Sequence, residues 1–403
     1  MEIALQSRRP ERESQKITHM IIPLISRALA SVSIFLFAAS MTTFADTWQS
    51  PITSVTVGKP IVVPGKSAGQ TSHGDTWILA WTRDNSVYSP NNDGNGFGPA
   101  DGNLSFNRID GDNPEHLTGE GVMPPLSLQY GHGSQQGPDG CTWKSSGCIS
   151  VDGVLYYVIA RHKYGEGSGD PYKRQPAHNA SIIKSSDDGK TWTRSAQENY
   201  DHPMFPDKLF PSPYFICYGQ DGHEAVADAS DRYVYALSNN GFWDNGDKLI
   251  LGRVERSKIG NLSAADWQFL AASDGAPDAN WSSDPQKAIA VLDNPDHLGM
   301  TGVVYLPAQK CYFYVGWYYP AGGGKEPNAH VTTIWDFYVS PHPWGPWTVA
   351  GSHTFTPQGY YCPAVCPKFT SADGKTLWVF TAGDWTNGSV YRLTMVPVTL
   401  GLR

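Results

Sequence analysis

Two carboxyl groups flanking a glycosidic bond, one donating a proton and the other acting as base or nucleophile, are enough to hydrolyse it. The sequence offers three acids for that pair: Asp75, Asp221 and Glu224. Asp75 opens the stretch His73–Phe97, HGDTWILAWTRDNSVYSPNNDGNGF. Its run TWILAWTR predicts a strand that turns at Asp84-Asn85 and returns through SVYS. Side chains alternate along a strand, so Trp77 and Trp81 are expected on the same face as Asp75. A carboxylate beside two flat rings suits a sugar-binding cleft, with Asp75 as base. Asp221 and Glu224, in FICYGQDGHE, are alternative partners, and the residues alone do not choose between them.

Further candidates surround these acids. Trp143, Tyr218, Trp281, Tyr360 and Tyr361 are candidate stacking platforms, although a Trp in an all-β chain is more often core. Lys144, Arg161 and His223 are candidate polar contacts, with Arg161-His162-Lys163 ending a strand where an anionic sugar would be held. Asp84 is a turn residue and a candidate substrate ligand at once. Asp139, Asp284 and Asp384 sit in loops. Asp93, in NNDGNG, carries the oxygen chemistry of a structural calcium ligand, but the spacing fits no EF-hand loop. No His or Cys pair stands at zinc-ligand spacing, so neither a metal nor any other cofactor is expected at the site.

The elements that must position these residues read as strands. A unit of roughly 65–70 residues recurs: an apolar strand, a turn, an aromatic-rich strand, then one or two more polar strands. The units run over Gln70–Gly121, Val122–Gln197, Glu198–Ala272, Ser273–Gly351 and Ser352–Arg403. In the second, CISVDGVLYYVIARHK predicts a hairpin at Asp152-Gly153. Ser185, Asp187, Gly189, Thr191 and Trp192 then form an S-x-D-x-G-x-T-W "Asp box", a turn whose Ser and Asp satisfy backbone groups. The third unit turns at Ser230-Asp231. Helical periodicity is confined to a hint over Ser263–Phe269. Five such units predict an all-β, five-bladed β-propeller, with six blades as the rival count and a strand from the lead-in Asp46–Gly69 closing the ring. Inner strands of a propeller converge on one axis, so residues that begin them meet there from distant sequence.

Composition agrees. Aromatics make up 12% of the 403 residues, Gly (41) and Pro (30) are plentiful, and charged residues are only 17%. The net charge of −8, without a basic tract, excludes nucleic acid as an expected partner. Residues 1–45 carry an apolar run ending in small residues, the pattern of a secretory signal peptide, with Met20 as an alternative start. Residues 46–403 are therefore expected to be one exported propeller domain, secreted or periplasmic, with no membrane partner after cleavage. Six cysteines in such a chain permit disulfides, Cys141–Cys148 among them. Cys362 and Cys366 would bridge only across a turn, and Cys217 and Cys311 read as buried thiols.

DTWILAW followed by DNSVYSPNNDGNGF resembles the opening signature of the domain-of-unknown-function 4185 family. FICYGQD with DRYVY, LILGRVERSKI, PWGPW and PKFTSADGKTLWVF follow in the family's order, from Gln70 to the C-terminus. The resemblance implies a five-bladed propeller and, from some members, endo-acting cleavage of D-arabinan. It favours Asp221, within GQD, as the partner of Asp75, and the family pattern also has an acid at Asp84. PWGPW is similar to propeller glycosidases such as those of glycoside hydrolase family 43. His223-Glu224 after GQD, and the Cys-Pro pairs at 362–363 and 366–367, depart from the pattern and leave the substrate open.

The expected function is a glycoside hydrolase acting on a polysaccharide or oligosaccharide, a furanoside such as D-arabinan being one case. A polysaccharide lyase on the same scaffold would instead rest on a Tyr or His base, with His223, Arg161 and Lys144 carrying the chemistry. A carbohydrate-binding propeller would use the aromatics without cleavage. A sialidase fits poorly: one Asp box stands alone, and no arginine triad is evident.

Overall fold

The first strands of the fold are β1 (Ile52–Val57) and β2 (Ile61–Val62), and both pair with the last strand of the chain. The computed structural model describes residues 48–98, 104–122, 137, 139–163, 174–194, 202–224, 231–272, 280–320, 332–356 and 358–403. Residues 1–45, expected to be a signal peptide, and Ser230 of the third-unit turn lie outside them.

Five antiparallel blades follow. Blade 1 holds β3 (His73–Asp75), β4 (Ala80–Trp81), β5 (Val87–Gly96), β6 (Ser105–Asp110) and β7 (Thr118–Val122). Blade 2 is β8 (Thr142–Val151), β9 (Val154–His162), β10 (Ala177–Ser185) and β11 (Thr193–Arg194). Blade 3 comprises β12 (Tyr214–Cys217), β13 (Tyr233–Asn239), β14 (Gly246–Glu255), β15 (Trp267–Ala272) and β16 (Asn280–Ser282), with β17 (Ala290–Leu298) also against β14. Blade 4 is β18 (Val303–Leu306), β19 (Cys311–Tyr318), β20 (Thr333–Ser340) and β21 (Thr348–Phe355). Blade 5 is β22 (Ala364–Val365), β23 (Thr376–Ala382) and β24 (Leu393–Leu402), completed on its outer edge by β1. A strand from the start of the propeller thus locks onto its last blade, as the lead-in strand was expected to do. The rival sixth blade has no sheet among the described residues. Helix is limited there to short 3-10 turns, one of them Ala264–Asp266 inside the stretch with helical character.

Local chemistry explains the turns. Asp152 and Gly153 both take positive φ (54° and 79°), the geometry that lets a two-residue turn match the twist of β8 and β9. The Asp box behaves as a fastener: Ser185 Oγ accepts from Gly189 N at 2.9 Å, and Asp187 accepts from Thr191 N at 2.8 Å. Trp192 then packs between Phe106 and Tyr157, joining blades 1 and 2. Around the axis the inner strands are parallel neighbours; β12 pairs with β18 through Ile216↔Val303. Buried apolar side chains fill the spaces between blades.

All six cysteines are free thiols. Cys141 and Cys148 do not flank a loop, because the intervening residues are strand β8. Seven residues of extended chain span roughly 23 Å, far beyond disulfide reach. Cys362 and Cys366 are likewise separated by the extended pair Ala364–Val365.

Candidate active site

Chain direction sorts the candidate residues between the two ends of the propeller. Inner strands begin at one end, near Asp75, Lys144, Thr301 and Tyr361, and their hairpin turns lie at the other. A pocket of about 140 Å³ opens on the axis at the first end. Blade 1 contributes Asp75, Thr76, Asn92 and Asp93, and blade 2 contributes Lys144, His162 and Gln175. Trp243 reaches in from blade 3, Trp317 and Tyr319 from blade 4, and Tyr361, Trp385 and Tyr391 from blade 5.

Asp75 is placed by a break in its strand. Thr76 adopts φ 54°, which ends β3 and interrupts the expected continuous strand TWILAWTR. A side chain at Gly74 would collide with the Asn92 carbonyl, so the close approach of β3 to β5 depends on glycine there. Asp75 pairs with Asn92 in the ladder and so stands beside Asp93. Its Oδ2 accepts hydrogen bonds from the Tyr361 and Tyr391 hydroxyls, each at 2.6 Å, and its Oδ1 from Thr76 Oγ1 at 2.9 Å. Burial, reinforced by the nearby Asp93 charge, pushes the Asp75 carboxyl up to about 6. Lys144 and the two phenol donors pull the other way and are outweighed.

Asp93 is ion-paired with the buried Lys144 of β8. Asn92 secures the same junction: its Oδ1 accepts from Ser145 N and Ser145 Oγ, both at 2.9 Å. His162 Nε2 lies 2.5 Å from Gln175 Oε1, and burial, with Lys144 nearby, lowers its pKa to about 3, so the ring is neutral. Tyr361 and Tyr391 are pushed well above their ordinary 10, first by burial and next by the Asp75 charge. Trp243, Trp317, Tyr319 and Trp385 are the aromatic wall. They present large apolar faces around a few convergent polar groups, the usual make-up of a small-molecule pocket.

Of the sequence candidates, Asp75 and Lys144 line this pocket, as does Tyr361. Asp221 and Glu224 are not brought to Asp75. The inner strand of blade 3 is only Tyr214–Cys217, so GQD follows its end and lies at the hairpin end of the molecule. There Asp221 is 1% exposed and clamps two blades together. Its carboxylate accepts from Ser150 Oγ at 2.6 Å, from Gly153 N at 2.9 Å and from Arg83 Nε at 3.0 Å. His223 is exposed beside Asp152 and Asp221. Glu224 N donates to Tyr218 O at 2.7 Å, and the buried Tyr218 pairs its hydroxyl with Tyr312. Asp84 is a turn residue, accepting from Thr82 Oγ1 and from Ser86 N and Oγ.

The other assignments change for similar reasons. Trp77 is fully buried, donating to Gly74 O at 2.9 Å, and Trp81 donates to Asn85 Oδ1 at the hairpin end. The break at Thr76 removes the period-two relation that had set both beside Asp75. Trp143 carries Arg161 over its ring at 4.3 Å, and Arg161 is held by Asp139 rather than aimed into the pocket. Trp281 is on the outer strand of blade 3 under Arg253. Tyr360 stacks on Phe355, and its neighbour Tyr361 is the residue that faces the axis. Asp93, noted for its calcium-type oxygen chemistry, also lines the pocket and is ion-paired with Lys144. Tyr391, Trp243, Trp317, Tyr319 and Trp385 were not singled out. They sit at or just beyond strand ends, and alternation carries no signal there.

No family model matches the sequence and no curated protein matches it, so the resemblance to the domain-of-unknown-function 4185 family has no family-level counterpart. Among solved structures the chain is similar to a protein of Bacteroides ovatus provisionally called a hydrolase, with 14% identity over 81% of this chain and 86% of that one, TM-score 0.47. It is also similar to an exo-β-1,3-galactanase from Phanerochaete chrysosporium, with 9% identity over 84% and 64%, TM-score 0.48. A GH32 β-fructofuranosidase from Bombyx mori gives 11% identity over 81% and 60%, TM-score 0.44. This chain spans less than two thirds of the length of the last two. The resemblance to propeller glycoside hydrolases is a distant one, and no residue role is carried across from it.

Proposed function

We propose that the axial pocket hydrolyses a glycosidic bond, with Asp75 as proton donor and the Asp93 carboxylate as its partner. The observation that carries this reading is the pair itself: a buried carboxyl that holds its proton to about pH 6, beside a carboxylate ion-paired to Lys144. Two acids with environments this different have the division of labour that glycoside hydrolysis needs. Asp75 thereby becomes the acid rather than the base first expected of it. Trp243, Trp317, Tyr319 and Trp385 supply faces on which a sugar ring stacks. The lyase reading has no good base here. Both phenols sit well above their ordinary range, and His162 is too weakly basic. One feature favours a carbohydrate-binding propeller without catalysis: the Asp75 carboxylate already accepts three hydroxyl donors.

The substrate class proposed is a polysaccharide, with D-arabinan and L-arabinan the first members of the panel. Reducing-sugar release by wild type, Asp75→Asn and Asp93→Asn separates the readings. The hydrolase reading expects release by wild type and a loss of about a thousandfold in folded Asp75→Asn, within the range for a removed general acid. Activity in Asp75→Asn equal to wild type overturns the assignment. Sugar binding without cleavage establishes the lectin instead, and an unsaturated, ultraviolet-absorbing product the lyase.

A further inference from the structure

Strand register at the pocket end of blade 2 gathers three potential metal ligands that the reading of the pocket leaves unused. Cys141 immediately precedes β8, and Asp139 lies two residues earlier. His178 is the second residue of β10 and is paired with Arg161 of β9, which in turn pairs with Trp143 of β8. Residues 139–141 and His178, distant in sequence, therefore converge. Cys141 Sγ and His178 Nε2 are 3.2 Å apart, and one ligand atom from each of Asp139, Cys141 and His178 lies within 4.8 Å of the others. It is the one group of three or more such residues among the described residues. The expectation of no zinc site rested on spacing along the chain, whereas these ligands meet across the blade.

We propose that Asp139, Cys141 and His178 bind a zinc-class divalent cation, leaving a fourth position for water. A thiolate, an imidazole and a carboxylate form a borderline-soft donor set of the kind that selects zinc over calcium or magnesium. Bonds of about 2.3 Å to sulfur and 2.0–2.1 Å to nitrogen in a tetrahedral site hold those two ligand atoms about 3.5 Å apart, close to the spacing observed. On binding, the Cys141 thiol gives its proton to solvent and the sulfur lone pair forms the bond to the metal.

The surroundings fit an outer shell. Arg161 Nε donates to Asp139 Oδ2 at 3.0 Å, its Nη2 donates to Asp139 Oδ1, and the same nitrogen donates to Cys141 O at 2.7 Å. Asp139 Oδ1 also accepts from Cys141 N at 3.1 Å, so the carboxylate is oriented by three donors and offers Oδ2, with its second lone pair, to a metal. Arg161 is itself fixed over Trp143. The cation would tie the entry of β8 to β10, three residues before Lys144, and so brace the strand that carries the partner of Asp93.

The test uses the full chain, stripped with chelator, given one equivalent of ZnCl2 and dialysed. Elemental analysis is expected to find about one zinc per wild-type chain, with retention at least tenfold weaker in Cys141→Ser and in His178→Ala. Cobalt(II) in place of zinc adds a reading independent of variant folding: wild type is expected to show a thiolate-to-cobalt charge-transfer band. No retained zinc in wild type, retention in the variants equal to that of wild type, or cobalt bound without the charge-transfer band each overturns the proposal. Neither variant touches the pocket residues, so failure here is distinct from failure of the hydrolase reading.

Discussion

Two buried aspartates, one at each end of the propeller, differ in what surrounds them. Asp75 is 7% exposed and Asp221 1%. Both carboxyl groups accept several hydrogen bonds, and both join distant segments. Asp221, however, is answered by a guanidinium and a backbone N–H, which only a charged carboxylate satisfies well. Asp75 is answered by three neutral hydroxyls and has a second carboxylate nearby. Hydroxyls rotate to donate or accept, so this environment tolerates either protonation state of the acid. Burial alone therefore does not mark a reactive carboxyl; the character of its partners does.

The largest expected effects come from exchanging the same substitution between the two ends. Asp75→Asn should remove about three orders of magnitude of turnover with the fold retained. Asp221→Asn should do the reverse, keeping kcat while destabilising by about 3 kcal/mol, because it leaves Arg83, Ser150 and the Gly153 N–H without their charged acceptor. Denaturant unfolding beside a turnover assay reads both. If Asp221→Asn is stable but inactive, the two ends have been assigned the wrong way round.

The next comparison is between pH profiles of stability. The Asp75 carboxyl is raised from 3.8 to about 6, so between those values the native state retains a proton that the unfolded chain has released. Stability from this group is full below about pH 4 and falls as pH rises through 6. At about 1.4 kcal/mol per pH unit the loss is about 3 kcal/mol. Asp75→Asn has no such proton and should lack that descent, so wild type minus variant should change by this amount between pH 4 and 7. Parallel curves would mean that Asp75 is not the buried acid described.

A smaller effect tests the hydroxyl cage. Tyr391 donates to Asp75 Oδ2 at 2.6 Å and favours the charged form. Tyr391→Phe should raise the Asp75 pKa further, moving the alkaline limb of kcat/KM to higher pH, with a loss of about tenfold at the wild-type optimum. Lower activity with an unmoved limb would reduce Tyr391 to a packing residue.

Much of the scaffold was legible because its signals are local. Asp152-Gly153, the Asp box and the closing strand each announce themselves within a few residues. The pocket was legible only in part, since its decisive contacts are not local: Tyr361 and Tyr391 are 286 and 316 residues from Asp75. Two short-range errors account for the rest. A positive φ at Thr76 broke the alternation that had set Trp77 and Trp81 beside the acid. The inner strand of blade 3 ended earlier than GQDGHE suggested, which moved three candidates to the opposite end. The one-residue step between Tyr360 and Tyr361 has the same origin, because Tyr360 and Cys362 also take positive φ (56° and 48°) and alternation does not hold across them.

Glu224→Gln carries the smallest expected effect and gives the contrast between the two ends its sharpest edge. By residue type Glu224 is as good an acid as Asp75, and by motif it sits beside the GQD sequence that favoured a catalytic role. Its place in the fold argues otherwise. Glu224 follows the end of β12, held by a backbone bond to Tyr218 among Arg83, Gln220 and Asp221, and none of these lines the axial pocket. The substitution keeps shape and removes only charge, so stability should change by less than about 1 kcal/mol and kcat should stay within about twofold of wild type. A reducing-sugar assay on the purified variant decides it. A loss as deep as that of Asp75→Asn would move the chemistry to the hairpin end, and Asp221, with its charged clamp, would have to be reread as its partner.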